Sequence, residues 1–439
     1  GCGFADEVIA TCPFMSFRLS KDTGLVCQRR AVIEKVETVS SVGKRTGFCL
    51  VSGEVGELAM LQPAIKGVRD TNTTGGNIVS FNLPAFNSHG KSQGLNAPMG
   101  VKASFGYTTA LNHLLRKDSA QKLQVGDATV VFWSDNESHF EDEFAGFFDE
   151  PPKDNPDALT EKVRALLSAV NNGVIPPEDN ETRFFILGLS PNSARISVRF
   201  WHVETVADYS MKISRHFRDL SIVHAPHQRD YLSMWWMLRS IAALGKTENI
   251  PPNLAGDWMR SILNGAAYPQ TLFLAALRRS RIEREVSYER AAIIKAFLNR
   301  RNRFMSQSEK EIAVSLDKEN TNQGYLVGRL FALLEKIQEE ANPGINATIR
   351  DRYYASASGT PASVFPILLR MKNHHLGKLE KGREIHFEKS LQEVLSGLSS
   401  SGFPRQLSLD DQGRFAIGYY HQRQAFFTKS EPKSVEIGE

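Results

Sequence analysis

At 439 residues the chain exceeds what one hydrophobic core usually organises, so two or three domains are expected. With 41% hydrophobic residues and a net charge of +4, it is too apolar for a disordered chain and too weakly basic for charge alone to announce nucleic-acid binding. No apolar run is long enough to span a membrane and no signal-peptide pattern opens the chain, which points to the cytoplasm.

The four cysteines (Cys2, Cys12, Cys27, Cys49) form no CxxC pair, so reduced thiols are expected, with no metal site and no cofactor. The chain begins at Gly1 rather than Met, which suggests native sequence upstream.

Phe14–Leu19 and Phe48–Ser52 read as short strands, with a helix over Val26–Val36 between them. A loop over Ala64–Asn77 carries Lys66, Arg69 and Asn72, and the strand-like run Ile78–Phe81 follows it. Next comes a long polar loop, Asn82–Lys102, reading NLPAFNSHGKSQGLNAPMGVK. It holds the amides Asn82, Asn87, Gln93 and Asn96 beside His89, Lys91 and Lys102, and it contains no carboxylate. Amides both donate and accept, and lysines hold phosphates, so the pattern suits a polyanion whose base edges are inspected. A helix over Phe105–Leu115 and a strand over Asp127–Trp133 complete an α+β domain, residues 1–135.

Asn136–Pro156 is acidic and contains proline, which reads as a solvated linker. A helix over Ala158–Asn171, a hairpin of Arg183–Leu189 and Ala194–Trp201, and a helix over Val206–Leu220 fill a second region, 136–228. From Tyr231 onward the periodicity is helical, giving an all-α, bundle-like C-terminal part divided into 229–304 and 305–439. Its helices are expected over Tyr231–Leu244, Asn253–Leu263, Thr271–Arg303, Gly324–Ala341, Ile345–Ser356, Ala362–Leu379, Phe387–Leu398 and Leu409–Lys429. Trp235 and Trp236 read as a buried helix rather than a base-stacking platform.

Thr271–Arg303 lacks Gly and Pro and could form one helix of about 50 Å. It carries nine basic residues against Glu283, Glu285 and Glu289. On a helical projection Arg278, Arg281, Arg284, Lys295 and Arg303 gather along one flank, a possible rail for phosphates; a solvated surface helix is the alternative. A second basic set, Lys372, His374, His375 and Lys378, suits phosphate contact or complements a helix C-terminus. Near the end Arg423 sits among aromatics, where a packed amphipathic helix competes with single-strand binding. No P-loop, GxGxxG or HExxH motif is present, which argues against an enzyme.

Certain runs are long and compositionally unusual: CLVSGE (Cys49–Glu54), the stretch Ile65–Pro98, YTTALNHLL (Tyr107–Leu115) and GDATVVFW (Gly126–Trp133). The C-terminal half adds Gly328–Ser358, MKNHHL (Met371–Leu376) and Leu409–Lys429. Together these runs resemble the large subunit of the type I-C CRISPR surveillance complex, Cascade.

The resemblance implies a scaffold without catalysis of its own. Such a subunit recognises the short motif flanking a DNA target, assists duplex opening and R-loop stabilisation, and presents the complex to a helicase–nuclease. The implied partners are guide RNA, the target duplex and displaced strand, and the backbone and guide-end-capping subunits. Small subunits resembling residues 305–439, a recruited helicase–nuclease, and phage anti-CRISPR proteins complete the set. Met305 would be the internal start of a separately made small subunit. The resemblance also implies additional sequence before the position matching Phe14–Arg18, most of which this chain is expected to lack. A DNA-processing nuclease and a purely structural spacer are the rival readings.

Overall fold

The computed structural model describes residues 16–40, 45–150, 155, 157–172, 177–193, 195–251, 253–305 and 309–427. The chain divides into two compact units, one of Gly1–Lys66, Thr71–His113 and Ser193–Arg195, the other of Gly67–Asp70, Leu114–Asn192 and Ile196–Glu439. The architecture is α+β followed by helices.

In the first unit a helix α1 (Arg30–Ser40) precedes a short antiparallel pair, β1 (Thr46–Phe48) and β2 (Val55–Glu57). Helix α2 (Val101–Leu114) lies at the end of the polar loop. Four expected elements differ. The strand expected over Phe48–Ser52 ends at Phe48, because the chain turns back at once: the Gly53 N–H donates to the Cys49 carbonyl at 3.0 Å, with Gly53 at φ +74°. Ile78–Phe81 forms no strand. Its neighbours Gly76 and Asn77 make only isolated bridges, to Ile65 and Arg195, while Asn77 Nδ2 is drawn to the Gln62 carbonyl at 2.9 Å. Residues 16–19 carry no strand, and Phe14 lies outside the described residues. The helix expected from Val26 begins at Arg30, after a single 3₁₀ turn (Val26–Gln28) closed by an extended Arg29.

The second unit is built on a four-stranded sheet in the order β3 (Lys122–Val125), β4 (Ala128–Ser134), β5 (Arg183–Asn192), β6 (Arg195–Thr205). Val130, Phe132, Phe184 and Ile186 point to one side and are fully buried. The segment expected to be a solvated linker supplies part of that core. It contains α3 (His139–Phe148), whose Phe140, Phe144, Phe147 and Phe148 share one helical face and are all buried. Phe144 lies 4.7 Å from Phe132, and Phe140 lies 5.0 Å edge-on from Phe184. Ser138 caps the helix by accepting the Phe140 N–H, and Glu141 and Asp142 complement the positive N-terminal end of its dipole. The acidity marks a helix start, not a linker.

Helices α4 (Ala158–Asn172) and α5 (Val206–Leu220) extend that core, and no described strand follows β6. The helical half runs through α6 (Met234–Ile241), α7 (Leu254–Leu263), α8 (Gln270–Glu283) and α9 (Tyr288–Phe304). It continues with α10 (Gln323–Ala341), α11 (Ile349–Gly359), α12 (Pro361–Leu376), α13 (Lys381–Ser396) and α14 (Leu409–Ala425). In α6, Met237 is buried while Trp235 and Trp236 are half-buried under the Arg239 guanidinium, 4.7 and 5.2 Å from the two rings.

The single helix expected over Thr271–Arg303 is two. Arg284 takes the left-handed conformation (φ +57°) that ends α8, and Ser287 caps α9 by accepting the Arg290 N–H. Absence of Gly and Pro does not prevent this stop, because Ser287 offers the backbone a competing start.

Candidate nucleic-acid interface

The polar loop belongs to the first unit and is pinned from within. Gly94 donates its N–H to the Met60 carbonyl at 3.1 Å, and a Cβ there would stand 2.2 Å from the Ala59 carbonyl oxygen, so only glycine fits. Gly100 donates to Cys49 Sγ at 3.1 Å, which also accepts the Ser52 N–H at 3.4 Å. Asn112, on α2, seats the preceding loop: its Oδ1 accepts the Lys66 N–H at 2.7 Å and its Nδ2 donates to the Ala64 carbonyl at 3.0 Å.

Within this frame the amides divide into two groups. Asn96 is committed to the loop, its Nδ2 donating to the carbonyls of Gln93 (3.0 Å) and Lys91 (3.3 Å) while its Oδ1 accepts the Ser88 N–H at 2.9 Å. Asn87 Oδ1 stands 3.5 Å from the same Nδ2. Asn72, Asn82 and Gln93 are exposed, as are His89, Lys66, Lys91 and Lys102. His89 and Gln93 both sit at positive φ (+50° and +46°), which turns the backbone sharply around Lys91. Gln62, Phe81, Asn82 and Gln93 line one cavity of about 340 Å³. Gln62 is held there by accepting from the Tyr107 hydroxyl.

One residue in this unit left no sequence signal. Arg195 lies 4.1 Å over the Phe86 ring, and its Nη2 stands 3.5 Å from Asn82 Oδ1. It is separated from Asn82 by more than a hundred positions, so only folding reveals the pairing. Arg69, grouped with the loop by sequence, belongs to the second unit, where its N–H donates to Thr129 Oγ1 at 3.0 Å and its exposed side chain stands 3.6 Å from Asp70.

The expected basic rail does not form as one line. Arg278, Arg281 and Arg284 are exposed, and Arg281 reaches Gln412 Oε1 (3.1 Å) and the Ala355 carbonyl (3.3 Å). Lys295 is instead 3% exposed and donates to the Asp219 carbonyl at 3.1 Å; burial lowers its pKa to about 8. Arg303 bonds Asp219 and, at 2.9 Å, Glu311, while Arg300 holds Asp219 from the other side at 3.2 Å. A residue the sequence reading missed, Arg352, stands exposed on α11 one turn before Ala355, the residue whose carbonyl Arg281 reaches. The i, i+3 spacing that places it there was legible, but nothing in the sequence joins it to Arg281.

The remaining candidates are largely engaged. Lys372 pairs with Glu388 at 3.0 Å and Lys378 donates to Asn342 Oδ1 at 3.0 Å. His375 Nδ1 stands 3.3 Å from Asn342 Nδ2, and burial foremost lowers its pKa; His374 is exposed. Arg423 pairs with the fully buried Glu335 at 2.8 Å and with Glu339 at 3.4 Å, a packing role in the helical half. Among the described residues no His, Cys, Asp or Glu cluster could hold a metal ion, and no helix is long and apolar enough to cross a membrane.

An α+β unit with an acid-free basic loop, and a sheet unit that continues into helices, define the class of protein. The family model described as CRISPR-associated protein (Cas_Csd1) matches residues 4–427, and the chain belongs to that family. A comparison with curated proteins finds no match.

Proposed function

We propose that the protein is the non-catalytic large subunit of a type I-C CRISPR RNA-guided surveillance complex, and that its polar loop inspects the short motif flanking a DNA target. The observation that carries this reading is the loop's surface chemistry. Lys66, Lys91 and Lys102 stand exposed, no carboxylate lies between Asn82 and Lys102, and Gln62, Asn82 and Gln93 line one cavity. The lysines would hold backbone phosphates. The N-terminus of α2, with no acidic residue in its first turn, adds partial positive charge beside Lys102. The amides would read base edges, and the degenerate code of a minor groove suits a permissive motif. Sequence beyond the motif would be read by guide–target pairing.

In this reading Arg278, Arg281, Arg284 and Arg352 steer the displaced strand electrostatically, while Lys295, Arg303 and Arg423 serve packing. The subunit would assist duplex opening and present the complex to a helicase–nuclease. It would sit among guide RNA and the backbone, guide-end-capping and small subunits.

The test uses the assembled complex on duplexes bearing a cognate or a scrambled motif. Gln93→Ala should reduce discrimination between them about tenfold while leaving binding to the scrambled duplex within about twofold. Lys91→Ala with Lys102→Ala should weaken binding to both duplexes alike and flatten the salt slope by about two. Equal losses of Gln93→Ala on both duplexes would contradict the assignment of the loop. Metal-dependent cutting of DNA by the isolated chain would contradict the non-catalytic reading.

A further inference from the structure

Trp133 on β4, Phe185 on β5 and Trp201 on β6 form one aromatic cluster on the face of the sheet opposite its core. Trp133 stands directly across the ladder from Phe185, and their rings stack at 5.3 Å with 8° between planes. Trp201 leans on both, at 5.5 and 5.9 Å. Because Phe132 on β4, Phe184 and Ile186 on β5 and Phe200 on β6 fill the core side, strand alternation turns these three rings outward. They are only partly covered: Trp133 and Phe185 are half-buried, whereas Trp201 is 49% exposed and neighbouring Val203 37% exposed. An open apolar face next to the terminal strand of a sheet marks an interaction surface.

Charge decides what kind. Arg183 lies 5.6 Å over the Phe185 ring and is held by Asp135, whose Oδ2 accepts from its Nε at 2.9 Å. Asp135 opens onto a groove it shares with Glu137 and Asp142, both exposed and without an ion-pair partner among the described residues. The unpaired carboxylates of Glu137 and Asp142 would repel phosphates, while the two arginines beside the rings, Arg183 and Arg199, are each held by an aspartate, Asp135 and Asp127. Rings stacked on one another also offer a nucleobase fewer free faces than a stacking platform does.

We propose that this face docks a partner protein, one that seats apolar side chains on Trp133, Phe185 and Trp201 and directs Lys or Arg toward the rim of Asp135, Glu137 and Asp142. The partner is another protein of the same CRISPR assembly. The proposal stands apart from the polar loop, which belongs to the first unit and would read DNA.

Trp201 is half-exposed, so it can be changed in the full-length chain. The chain is assembled with the other proteins and the guide RNA of its complex, with p-benzoylphenylalanine in place of Trp201, and irradiated. A cross-link to one of those proteins is expected, at a peptide with Lys or Arg beside apolar residues. Trp201→Glu should weaken retention of that protein about tenfold, whereas Trp201→Phe keeps it within about twofold. Glu137→Lys with Asp142→Lys should also weaken retention; circular dichroism stays unchanged in every variant, and the melting temperature falls only in the charge-reversed one, which loses Asp142 at the α3 N-terminus. A cross-link to nucleic acid or to a second copy of this chain would overturn the proposal. So would no cross-link in the assembled complex, or unchanged retention in both Trp201→Glu and the charge-reversed variant. Motif discrimination by Gln93→Ala is scored separately, so failure of one reading leaves the other intact.

Discussion

Single side chains separate into those that would touch a ligand and those that hold the ones that do. Asn96 and Gln93 are three positions apart in one loop, yet Asn96 ties together Ser88, Lys91 and Gln93 while the Gln93 side chain lines the cavity. Asn96→Ala should therefore cost about 1–3 kcal/mol of local order. It should raise hydrogen exchange over residues 87–94 and weaken binding to cognate and scrambled duplexes together, unlike Gln93→Ala. Normal exchange in Asn96→Ala would refute the tie. Lys295 offers a second test. Its folded pKa, lowered to about 8, lies below that of the unfolded chain, about 10.4, so between those values the unfolded state binds more protons. Stability should rise as pH climbs through that window, by roughly 2–3 kcal/mol, and the rise should vanish in Lys295→Met. Denaturant midpoints at pH 7 and pH 10 check it; an unaltered slope in the variant would rule Lys295 out as the cause. That Lys295 is buried could not be read from a helical projection, because a projection ranks positions on one helix and says nothing of which neighbours cover it.

At the scale of elements, periodicity decided most of what was legible. Val206–Leu220 was read at its observed bounds, and Ala158–Asn171 and Asn253–Leu263 each within one residue of theirs. The acidic segment at 136–156 shows the limit: its charges suggested a linker, while phenylalanines on one face make α3 part of the core. Two signals competed, and the apolar one won because four buried rings outweigh solvated carboxylates. The break after α8 was likewise hidden, since helix propensity around Arg284 is ordinary and the stop comes from its left-handed conformation. Glycine adopts that conformation without the Cβ penalty, so Arg284→Gly should stabilise the protein by about 0.5–1 kcal/mol, read as a higher denaturant midpoint. A lower midpoint would mean the guanidinium makes a contact the fold needs.

Across the helical half, α10 and α14 meet through glycines. A Cβ on Gly328 would stand 2.1 Å from the Phe415 carbonyl oxygen, and one on Gly418 would stand 2.1 Å from that of Tyr325. These are backbone atoms that cannot step aside. Gly328→Ala should therefore cost about 1–3 kcal/mol or more by overpacking, despite its better helix propensity, with a matching fall in melting temperature. A stabilised variant would show that the two helices can move apart. The same half buries charge where the sequence shows only scattered residues. Glu335 is fully buried, accepting from Thr348 Oγ1 at 2.9 Å, from the Tyr419 hydroxyl at 2.6 Å and from Arg423 at 2.8 Å. Removing any one donor leaves part of that carboxylate unsatisfied, which is why Arg423 belongs to packing.

By itself the sequence determined the class of fold, most helix positions, the acid-free character of the polar loop and the family resemblance. Those are local properties: periods, compositions and contiguous motifs. Only the tertiary structure decided that Asn96 ties the loop, that Arg195 rests on Phe86, and that the basic stretch after Thr271 breaks at Arg284. It also turned Lys295 and Arg423 inward and brought Trp133, Phe185 and Trp201 onto one open face. Most of these depend on residues tens to more than a hundred positions apart; the Asn96 tie and the break at Arg284 depend on a local backbone conformation that many sequences could adopt. Contacts of that kind form only when the chain closes on itself.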